Sequence, residues 1–299
     1  MRSTRVTSRQ SRQNEAGFSA KPAMGVIRFI FPIISPAFPR FAARCCLHIF
    51  LTPQRYRIPA REEEYVSTSE QSRVQVAGKS VVVYAWGNGN KKVLLCHSWG
   101  GRGTQLAAFI KPFLAKGYAV MAFDAPGHGR STGRQTDMME YSATINTLIK
   151  IHGPFHAIIG HSFGAGNILF SKKQYAFQVK KIALIGCFSR GSWVTDRFGE
   201  LLNIPPNIIG RMMRILEEKY NGRLRWDQLD MAEMARAETA SILVVHDRDD
   251  MEIPYSHALE FEGKCGKKIE LFSTDGLGHR RILRNSEVIS RVCEFVGEE

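Results

Sequence analysis

One short stretch, residues 156–166, limits what this chain can fold into more than any other. Residues 157–159 are apolar and typical of a buried strand. They lead into Gly160-His161-Ser162-Phe163-Gly164, after which a helix can begin. Such a strand–turn–helix would hold Ser162 at the tip of a sharp turn, where glycines avoid clashes with a Cβ atom. The first N–H groups of the helix would point at the serine and could stabilise negative charge. The pattern predicts an exposed, reactive hydroxyl on Ser162.

The composition is that of an ordinary globular protein. Of the 299 residues, 44% are hydrophobic and 23% are charged. A chain of this length, as one large α/β domain or two small ones, buries a core without disulfides or a structural metal. The six cysteines form no C-x-x-C pair and no regular framework, which predicts reduced thiols and a cytoplasmic location.

Most of the net charge of +13 belongs to the N-terminal fifth of the chain. Residues 1–60 contain nine Arg and one Lys against a single Glu, a charge of +9, which leaves +4 for the remaining 239 residues. The body of the chain has no alternation of basic and aromatic residues and no recognition motif. We therefore expect no binding of nucleic acid.

Two N-terminal segments precede the main domain. Residues 1–23 are rich in Ser, Arg and Gln and poor in large apolar residues, so we predict a disordered basic tail. Residues 24–60 are predicted to be an amphipathic helical segment. Its clearest helix is expected over about 37–51, where Phe38, Phe41, Cys45 and Ile49 recur at helical spacing.

The uncharged run 29–39 bears on whether the chain enters a membrane. It is eleven residues long and contains three prolines, whereas a spanning helix needs about 20 apolar residues. A transmembrane segment is therefore not expected. Residues 24–51 would either pack on the domain or make weak contact with an anionic membrane surface.

Residues 61–299 alternate between strand and helix patterns. Helices are expected near 103–115 and 136–151. Strands are predicted at 65–76, 80–85, 93–96, 118–123, 157–161, 182–185, 242–245 and 269–272. This alternation predicts an α/β fold with a mainly parallel central sheet, an antiparallel leading hairpin turning at Gly78, and helices on both faces.

A long insertion separates two of these strands. The 56 residues of 186–241 exceed what an ordinary crossover connection needs. The excess, about 190–235, is rich in apolar residues and is interrupted by Pro205-Pro206. We predict a small helical cap over the site.

A serine hydroxyl is a weak nucleophile, so it needs a base that is itself oriented by a carboxylate. His279 is the best candidate for the base. It lies in a glycine-flanked loop after the last predicted strand, at the end of the sheet where such folds bind ligands. The acid candidates follow the strand at 242–245, and chemistry alone does not choose among Asp247, Asp249, Asp250 and Glu252.

These motifs, taken together, resemble the serine-nucleophile branch of the α/β-hydrolase superfamily over about residues 60–299. The turn at Ser162, the acid loop and the late histidine follow one another in the order that the family has. The family's acid loop commonly reads H-G-x-x-D-x-x-x-P, and His246 and Pro254 bracket Asp250 at the matching place. The resemblance implies that Asp250 is the acid, with Ser162 and His279 as its partners. Asp247 occupies the position where the family has Gly, and we expect this difference to be a surface change.

A second resemblance concerns the stabilisation of an oxyanion. The sequence His97-Ser98-Trp99-Gly100-Gly101 resembles the family's H-G-x-G loop, with Ser98 in place of the first Gly. The resemblance implies that the backbone N–H groups of Trp99 and Phe163 are the two oxyanion donors.

Other histidines are given supporting roles. Residues 124–131 resemble the structural D-x-x-G-x-G-x-S loop of the family, so His128 is assigned no catalytic role. His97 is expected to hold its own loop, and His161 to shape the pocket. The residues expected to line the substrate pocket are His97, Ser98, His161 and Phe188.

The activity implied by the resemblance is hydrolysis of a small carboxylic ester or thioester through a Ser-His-Asp triad and an acyl-enzyme. An acyltransferase or perhydrolase could use the same triad, and a non-catalytic small-molecule-binding protein could keep the same fold. Epoxide hydrolysis and dehalogenation are disfavoured because they use a carboxylate nucleophile. The sequence shows no metal-ligand cluster, phosphate loop or dinucleotide fingerprint, so we expect neither a cofactor nor a metal.

Overall fold

One eight-stranded sheet forms the centre of the computed structural model, which describes residues 22–298, with side chains from residue 25 onward. The strands are β1 (Glu70–Val76), β2 (Lys79–Trp86), β3 (Lys92–Cys96), β4 (Ala119–Phe123), β5 (Ala157–His161), β6 (Lys181–Ile185), β7 (Ser241–Asp247) and β8 (Ile269–Thr274). Their order is β1-β2-β4-β3-β5-β6-β7-β8, with β1–β2 and β2–β4 antiparallel and all other pairs parallel. The predicted α/β fold with an antiparallel leading hairpin is confirmed.

The apolar strand sequences explain the sheet. β4, β5 and β6 are buried at every position, as expected for parallel strands covered on both faces. Successive side chains point to opposite faces. On β6, Ile182 and Leu184 therefore join one core cluster and Ala183 and Ile185 join the other. The edge strand β1 is mostly exposed.

Twelve α-helices accompany the sheet in the described residues. They are α1 (Pro22–Ala37), α2 (Pro39–Phe50), α3 (Ala60–Ser67), α4 (Ile110–Ala115), α5 (Met138–His152), α6 (Phe163–Tyr175), α7 (Gly191–Leu202), α8 (Pro206–Lys219), α9 (Met231–Arg236), α10 (Ser256–Cys265), α11 (Gly278–Arg281) and α12 (Ser286–Gly297). Helices α5, α6, α9 and α10 pack on one face of the sheet, and α4 and α12 pack on the other. The prediction of helices on both faces is confirmed.

The parallel register brings the candidate functional loops to one edge of the sheet. Cys96 pairs with Gly160, His161 with Ile185, and Val245 lies opposite Ile185 on the next strand. The loops that leave the carboxyl ends of β3, β5, β6, β7 and β8 therefore start side by side. This common edge is where sheets of this kind place their ligands.

The predicted start of the first strand is wrong. Tyr65 lies in helix α3, and β1 begins at Glu70. Helix α3 has Glu62 and Glu63 in its first turn, where negative charge interacts favourably with the helix dipole. Glu62 is also buried in a two-pronged ion pair with Arg102, at 2.6 Å for both contacts. This long-range pairing is invisible in the local pattern.

Helix α1 lies in the segment 24–60 that is predicted to be helical, and it runs through most of the proline-containing stretch 29–39. It includes Pro32 and Pro36, each of which removes a backbone donor from the helix. The helix is held by tertiary packing, since Phe31 is 3% exposed. The helix predicted over 37–51 is α2, which has Pro39 in its first turn, where a missing N–H has no cost. None of the helices within residues 22–298 is long and apolar enough to cross a bilayer.

The two N-terminal helices share a separate apolar cluster with the insertion. Helices α1 and α2 pack against α7 and α8 through Phe31, Ala42, Ala43, Cys46, Leu202, Ile204, Ile208, Ile209 and Met212. The Sγ atom of Cys46 lies 3.3 Å from the Sδ atom of Met212. The division into tail, helical segment and main domain stays a prediction, as does the position of residues 190–235 above the site. The tail prediction for 1–23 falls almost wholly outside the described residues.

We predict that Met212→Ala lowers the free energy of unfolding by about 2–5 kcal/mol, the usual cost of truncating a buried methionine. Met212 is fully buried in the cluster that joins α2 to α8. Met251→Ala is the matched control, because Met251 is 87% exposed, and it should change stability by less than about 0.5 kcal/mol. Urea unfolding measures both. Equal midpoints for the two variants would show that the N-terminal helices do not stabilise the domain.

Candidate active site

Ser162 occupies a strained turn between β5 and α6. Its backbone has φ 55 and ψ −118, a left-handed conformation that a residue with a Cβ rarely adopts. The N–H of Ser162 donates to the carbonyl of Ile185 at 2.8 Å, and its own carbonyl accepts from Gly166 at 3.2 Å. These contacts hold the turn at the carboxyl edge of the sheet. The strained serine predicted from the sequence is present.

The two glycines of the motif are required by close backbone packing. A Cβ on Gly160 would lie 2.7 Å from the backbone of Ala165, and a Cβ on Gly164 would lie 2.4 Å from the carbonyl oxygen of Cys96. Neither site can hold a larger residue without displacing backbone. The first turn of α6 is therefore pressed against the ends of β3 and β5.

His279 and Asp250 form a buried hydrogen-bonded pair. Nδ1 of His279 lies 2.7 Å from Oδ2 of Asp250, and the two residues are 8% and 5% exposed. The other carboxylate oxygen of Asp250 accepts hydrogen bonds from the N–H groups of Glu252 and Ile253 at 2.8 and 2.9 Å. Asp250 is thus fixed by its own loop and orients the imidazole. The residue His279 lies in the short helix α11 instead of in an open loop.

Gly186 is a site residue that the sequence reasoning missed. It follows β6 directly and has φ 55, and a Cβ there would lie 3.2 Å from the ring of His279 and 3.6 Å from Oδ2 of Asp250. Its N–H donates to the carbonyl of Val245 at 2.8 Å. Only a glycine lets the histidine–aspartate pair lie this close to the end of β6. A glycine directly after an apolar strand was the available signal.

Two further histidines surround the pair. The ring of His161 lies 4.6 Å from that of His279, and its Nε2–H donates to the carbonyl of His279 at 2.9 Å. His246 donates from Nε2 to the carbonyl of Ile253 at 2.9 Å, and the same atom is 3.6 Å from Asp250. Burial lowers the pKa of both His161 and His246. Both rings are therefore neutral at pH 7 and leave Asp250 to pair with His279.

Asp247 is fully buried, so the expectation that it is a surface change is wrong. Its carboxylate accepts hydrogen bonds from the Thr274 hydroxyl at 2.7 Å and from the N–H groups of Leu277, Gly278 and Asp249 at 2.8–3.0 Å. Burial alone would raise the pKa of Asp247, but these hydrogen bonds lower it overall. Asp247 thus holds the loop that leads into His279.

His97 fastens the loop after β3, in agreement with its expected role. The side chain is fully buried, its Nδ1–H donates to the carbonyl of Ser98 at 2.7 Å, and its Nε2 accepts from the N–H of Ala125 at 3.0 Å. Tyr141 donates to the His97 carbonyl at 2.7 Å. Burial lowers the pKa of His97 to about 4, so the ring is neutral at pH 7.

Ser98 is bound on two sides by Gln105, which the sequence reasoning did not single out. The N–H of Ser98 donates to Oε1 of Gln105, and Nε2 of Gln105 donates to the Ser98 hydroxyl, each at 2.8 Å.

Next in the chain, the ring of Trp99 packs against Phe163 with centroids 5.0 Å apart. The two residues proposed as oxyanion donors are therefore neighbours in space. The N–H of Gly100 donates to Nε2 of His128 at 3.0 Å, which gives His128 a structural contact.

Phe188, predicted to line the pocket, is a core residue. It is 3% exposed and belongs to the larger core cluster. A Cβ on Gly166 would lie 2.6 Å from its ring, so Phe188 packs closely against helix α6. The structure brings Ser162, His279 and Asp250 to one edge of the sheet. A pocket-lining role for Phe188, His97, Ser98 and His161 stays a prediction.

Comparison with known proteins agrees with this fold. Residues 93–289 match the model of a family described as the alpha/beta hydrolase family, and this match covers more than half of the chain. The chain therefore belongs to the alpha/beta hydrolase family.

Among curated relatives, the chain is similar to the bifunctional esterase/perhydrolase DCH of Acinetobacter calcoaceticus. The two are 23% identical over 273 residues, with 76% of this chain and 96% of that protein covered. It is also 22% identical to a non-heme chloroperoxidase of Streptomyces lividans, with 71% and 94% covered. Among solved structures, the Pyrococcus furiosus esterase Pf2001 aligns with a TM-score of 0.61 at 17% identity, covering 83% of this chain and 97% of that one.

We predict that Asp247→Asn lowers the free energy of unfolding by roughly 2–3 kcal/mol at pH 7, because buried donors lose their charged acceptor. The pKa of Asp247 is lowered. Its contribution is therefore present above the unfolded pKa of about 4 and is lost as the pH falls through the folded value. The difference between wild type and variant should shrink on acidification.

Asp275→Asn is the matched control for this measurement. Asp275 is exposed and is held by a surface ion pair with Arg248, so its loss should cost less than about 1 kcal/mol. Urea unfolding at pH 7 and at lower pH compares the two variants. If Asp247→Asn behaves like Asp275→Asn, then the buried carboxylate does not hold the His279 loop.

Proposed function

We propose that this chain is a serine hydrolase that cleaves a carboxylic ester or thioester of a small molecule through an acyl-enzyme. The observation that carries the proposal is the buried 2.7 Å hydrogen bond between His279 and Asp250 beside the strained turn of Ser162. The imidazole of His279 contacts His161, the residue before Ser162. It also lies against Gly186. The preceding residue is Ile185, and the carbonyl of Ile185 accepts a hydrogen bond from the Ser162 N–H.

The hydrogen bond to Asp250 assigns the roles of the two ring nitrogens of His279. With Nδ1–H donating to the carboxylate, Nε2 carries the lone pair and serves as the base. As Ser162 Oγ attacks the substrate carbonyl carbon, its proton moves to Nε2. Asp250 then stabilises the imidazolium that forms. The neutral state of His161 and His246 keeps this carboxylate available to His279.

The negative charge that develops on the carbonyl oxygen needs donors that are already in place. The N–H groups of Trp99 and Phe163 are the proposed donors, and Phe163 begins α6, whose positive end faces the same point. In comparable enzymes, removing one such donor costs about 3–4 kcal/mol of transition-state stabilisation. The contacts of His97, Ser98 and Gln105 hold the loop that carries Trp99.

Collapse of the tetrahedral intermediate breaks the C–O or C–S bond. His279 gives its proton to the departing alcohol or thiol, and the acyl group stays on Ser162 as an ester. Water then attacks this ester while His279 takes one of its protons. The acid leaves, and the Ser162 hydroxyl is regenerated. No hydrogen bond joins Ser162 Oγ to His279 among the described residues, and such contacts often close only when substrate is bound.

The relatives favour an ester over other acyl compounds. One curated relative is named an esterase/perhydrolase and one aligned structure is an esterase. A thioesterase domain of the curacin pathway also aligns, with a TM-score of 0.56, 16% identity, and 77% of this chain and 99% of that one covered. At these identities the structures support the fold, and their substrates come to this chain as part of the proposal. The presence of all three triad residues favours catalysis over a binding role.

Perhydrolysis is a second candidate because it would use the same acyl-enzyme, and the printed name of the DCH relative includes it. In that reaction hydrogen peroxide replaces water as the attacking group, and the product is a peracid. Peracid formation from acetate and hydrogen peroxide, measured beside p-nitrophenyl ester hydrolysis, decides between the two acceptors.

We predict that Ser162→Ala abolishes labelling by a fluorophosphonate and lowers turnover of p-nitrophenyl esters at least about 10⁴-fold, because the acylated atom is removed. A panel of esters of rising chain length supplies the substrate. Circular dichroism checks that the variant is folded. A folded Ser162→Ala protein that still labels fully would sink the assigned nucleophile.

We predict that Asp250→Asn lowers turnover by about 10⁴-fold, which is the loss seen when the triad aspartate of a serine protease is changed to asparagine. Asp249→Asn is the matched control, because Asp249 binds the N–H of Gly276 at 2.8 Å, whereas the ring of His279 pairs with Asp250. Its turnover should fall far less. A crippled Asp249→Asn variant beside a nearly normal Asp250→Asn variant would move the acid to position 249.

A further inference from the structure

The first two helices expose an unusual number of large apolar side chains. Six of the eleven large hydrophobic residues that are exposed in the described residues fall within 26–41. We call these six the N-terminal apolar face: Val26, Phe29, Ile30, Ile33, Phe38 and Phe41. Phe29 is 73% exposed and Phe38 is 65% exposed. Large exposed apolar side chains concentrated in one short segment indicate an interaction site.

Helical geometry places four of these residues on one side of α1. Positions 26, 29, 30 and 33 recur at the spacing of a single helix face, while Phe31 and Ser35 on another side are buried. Between residues 25 and 37 only Arg28 and Ser35 are polar. A helix packed on one side is expected to be polar on the other. Helix α1 is apolar on both sides, so its outer side is expected to contact an apolar environment.

The charged residues of this part of the sequence have a single sign. Between Glu15 and Glu62 the sequence has no Asp or Glu, whereas it has seven basic residues, Lys21, Arg28, Arg40, Arg44, Arg55, Arg57 and Arg61. Arg40 and Arg44 are exposed one turn apart on α2, on either side of Phe41. Exposed Phe and Ile side chains next to arginines are the composition of helices that lie in the interface of anionic membranes.

Other occupants fit the face less well. Residues 1–21 contain only Met1, Val6 and Phe18 as large apolar residues, too few to cover six side chains, and they add further basic charge. A second copy of the chain would bring the same arginines against one another. An anionic lipid surface instead supplies both an apolar layer and the opposite charge.

The length of α1 decides how it would meet such a surface. Its 16 residues extend about 24 Å at 1.5 Å per residue, less than the hydrocarbon core of about 30 Å. It would therefore lie along the membrane surface instead of crossing it. Helix α2 is amphipathic, and its buried side packs against the domain through Ala42, Ala43 and Cys46.

We propose that α1 and the start of α2 bind the surface of a bilayer that contains anionic phospholipid. The N-terminal apolar face enters the boundary of the acyl chains, and Arg40 and Arg44 contact the headgroups. This proposal does not depend on the reaction that the site performs.

The same segment is tied directly to the rim of the candidate active site. After α2 the chain passes over the loop that follows β3, where a Cβ on Gly100 would lie 3.6 Å from the ring of Tyr56. Arg55 donates to the carbonyls of Gly127, Ser131 and Gly133 at 2.7–2.9 Å. Membrane binding through α1 would therefore hold the site close to the bilayer.

The test is cosedimentation of the full chain with vesicles. The protein carries Ser162→Ala, so that lipid hydrolysis cannot alter the vesicles. One set of vesicles is pure phosphatidylcholine, and the other contains one third phosphatidylglycerol. We expect binding to the anionic vesicles that weakens at high salt, because salt screens the arginine–headgroup attraction.

Three double variants separate the contributions. Phe29→Gln/Ile33→Gln should lower binding to the anionic vesicles at least tenfold, and Arg40→Gln/Arg44→Gln should remove the preference for phosphatidylglycerol. The control Ile151→Gln/Leu259→Gln changes two side chains that are also exposed, at 57% and 49%, but lie elsewhere. It should bind like the parent. Thermal midpoints check that all variants are folded.

The proposal is overturned if the parent does not bind anionic vesicles, or if Phe29→Gln/Ile33→Gln binds as well as the control. Sedimentation equilibrium without lipid addresses the competing occupant. A dimer that dissociates in Phe29→Gln/Ile33→Gln, together with no vesicle binding, would identify the face as a contact between two copies of the chain.

Discussion

The close contact of helix α6 with the ends of β3 and β5 is the constraint on which the rest of the site depends. The N-terminus of α6 lies so near these strands that Gly160 and Gly164 have no room for a Cβ. Ser162, in the turn between β5 and α6, has a left-handed backbone conformation at this contact. The same contact brings Phe163 against Trp99. One packing contact thus joins the serine to both proposed oxyanion donors.

The histidine is positioned by two carboxylates with different tasks. Asp250 binds the ring of His279 directly, whereas Asp247 binds the backbone of the loop before it. Asp247 ends β7 and Asp250 follows it, and the residues they hold follow β8, its parallel neighbour. The acid loop therefore fixes the histidine through the sheet register. The neutral histidines His161 and His246 fill the space around this pair and support it through backbone carbonyls.

The N-terminal helices show how a segment can be part of the fold and still present a surface to a second environment. Helix α2 and one side of α1 are packed on α7 and α8. The other side of α1 carries apolar residues in an exposed position. The segment then continues to the rim of the site through Arg55 and Tyr56. The insertion and the N-terminal helices are thus linked by an apolar cluster to which the sheet contributes no residue.

The sequence by itself determined the parts that depend on local pattern. Apolar runs such as 157–159 and 182–185 predict buried parallel strands, and the glycine spacing around Ser162 predicts the strained turn, because both follow from backbone geometry over a few residues. The tertiary structure decided the roles of Asp247, Gly186 and Gln105. Their partners lie on other strands and loops, and for Asp247 they include donors 27–31 residues away. Helix α1 formed across its prolines for the same reason, since the burial of Phe31 against other helices is a long-range contact that no local pattern contains.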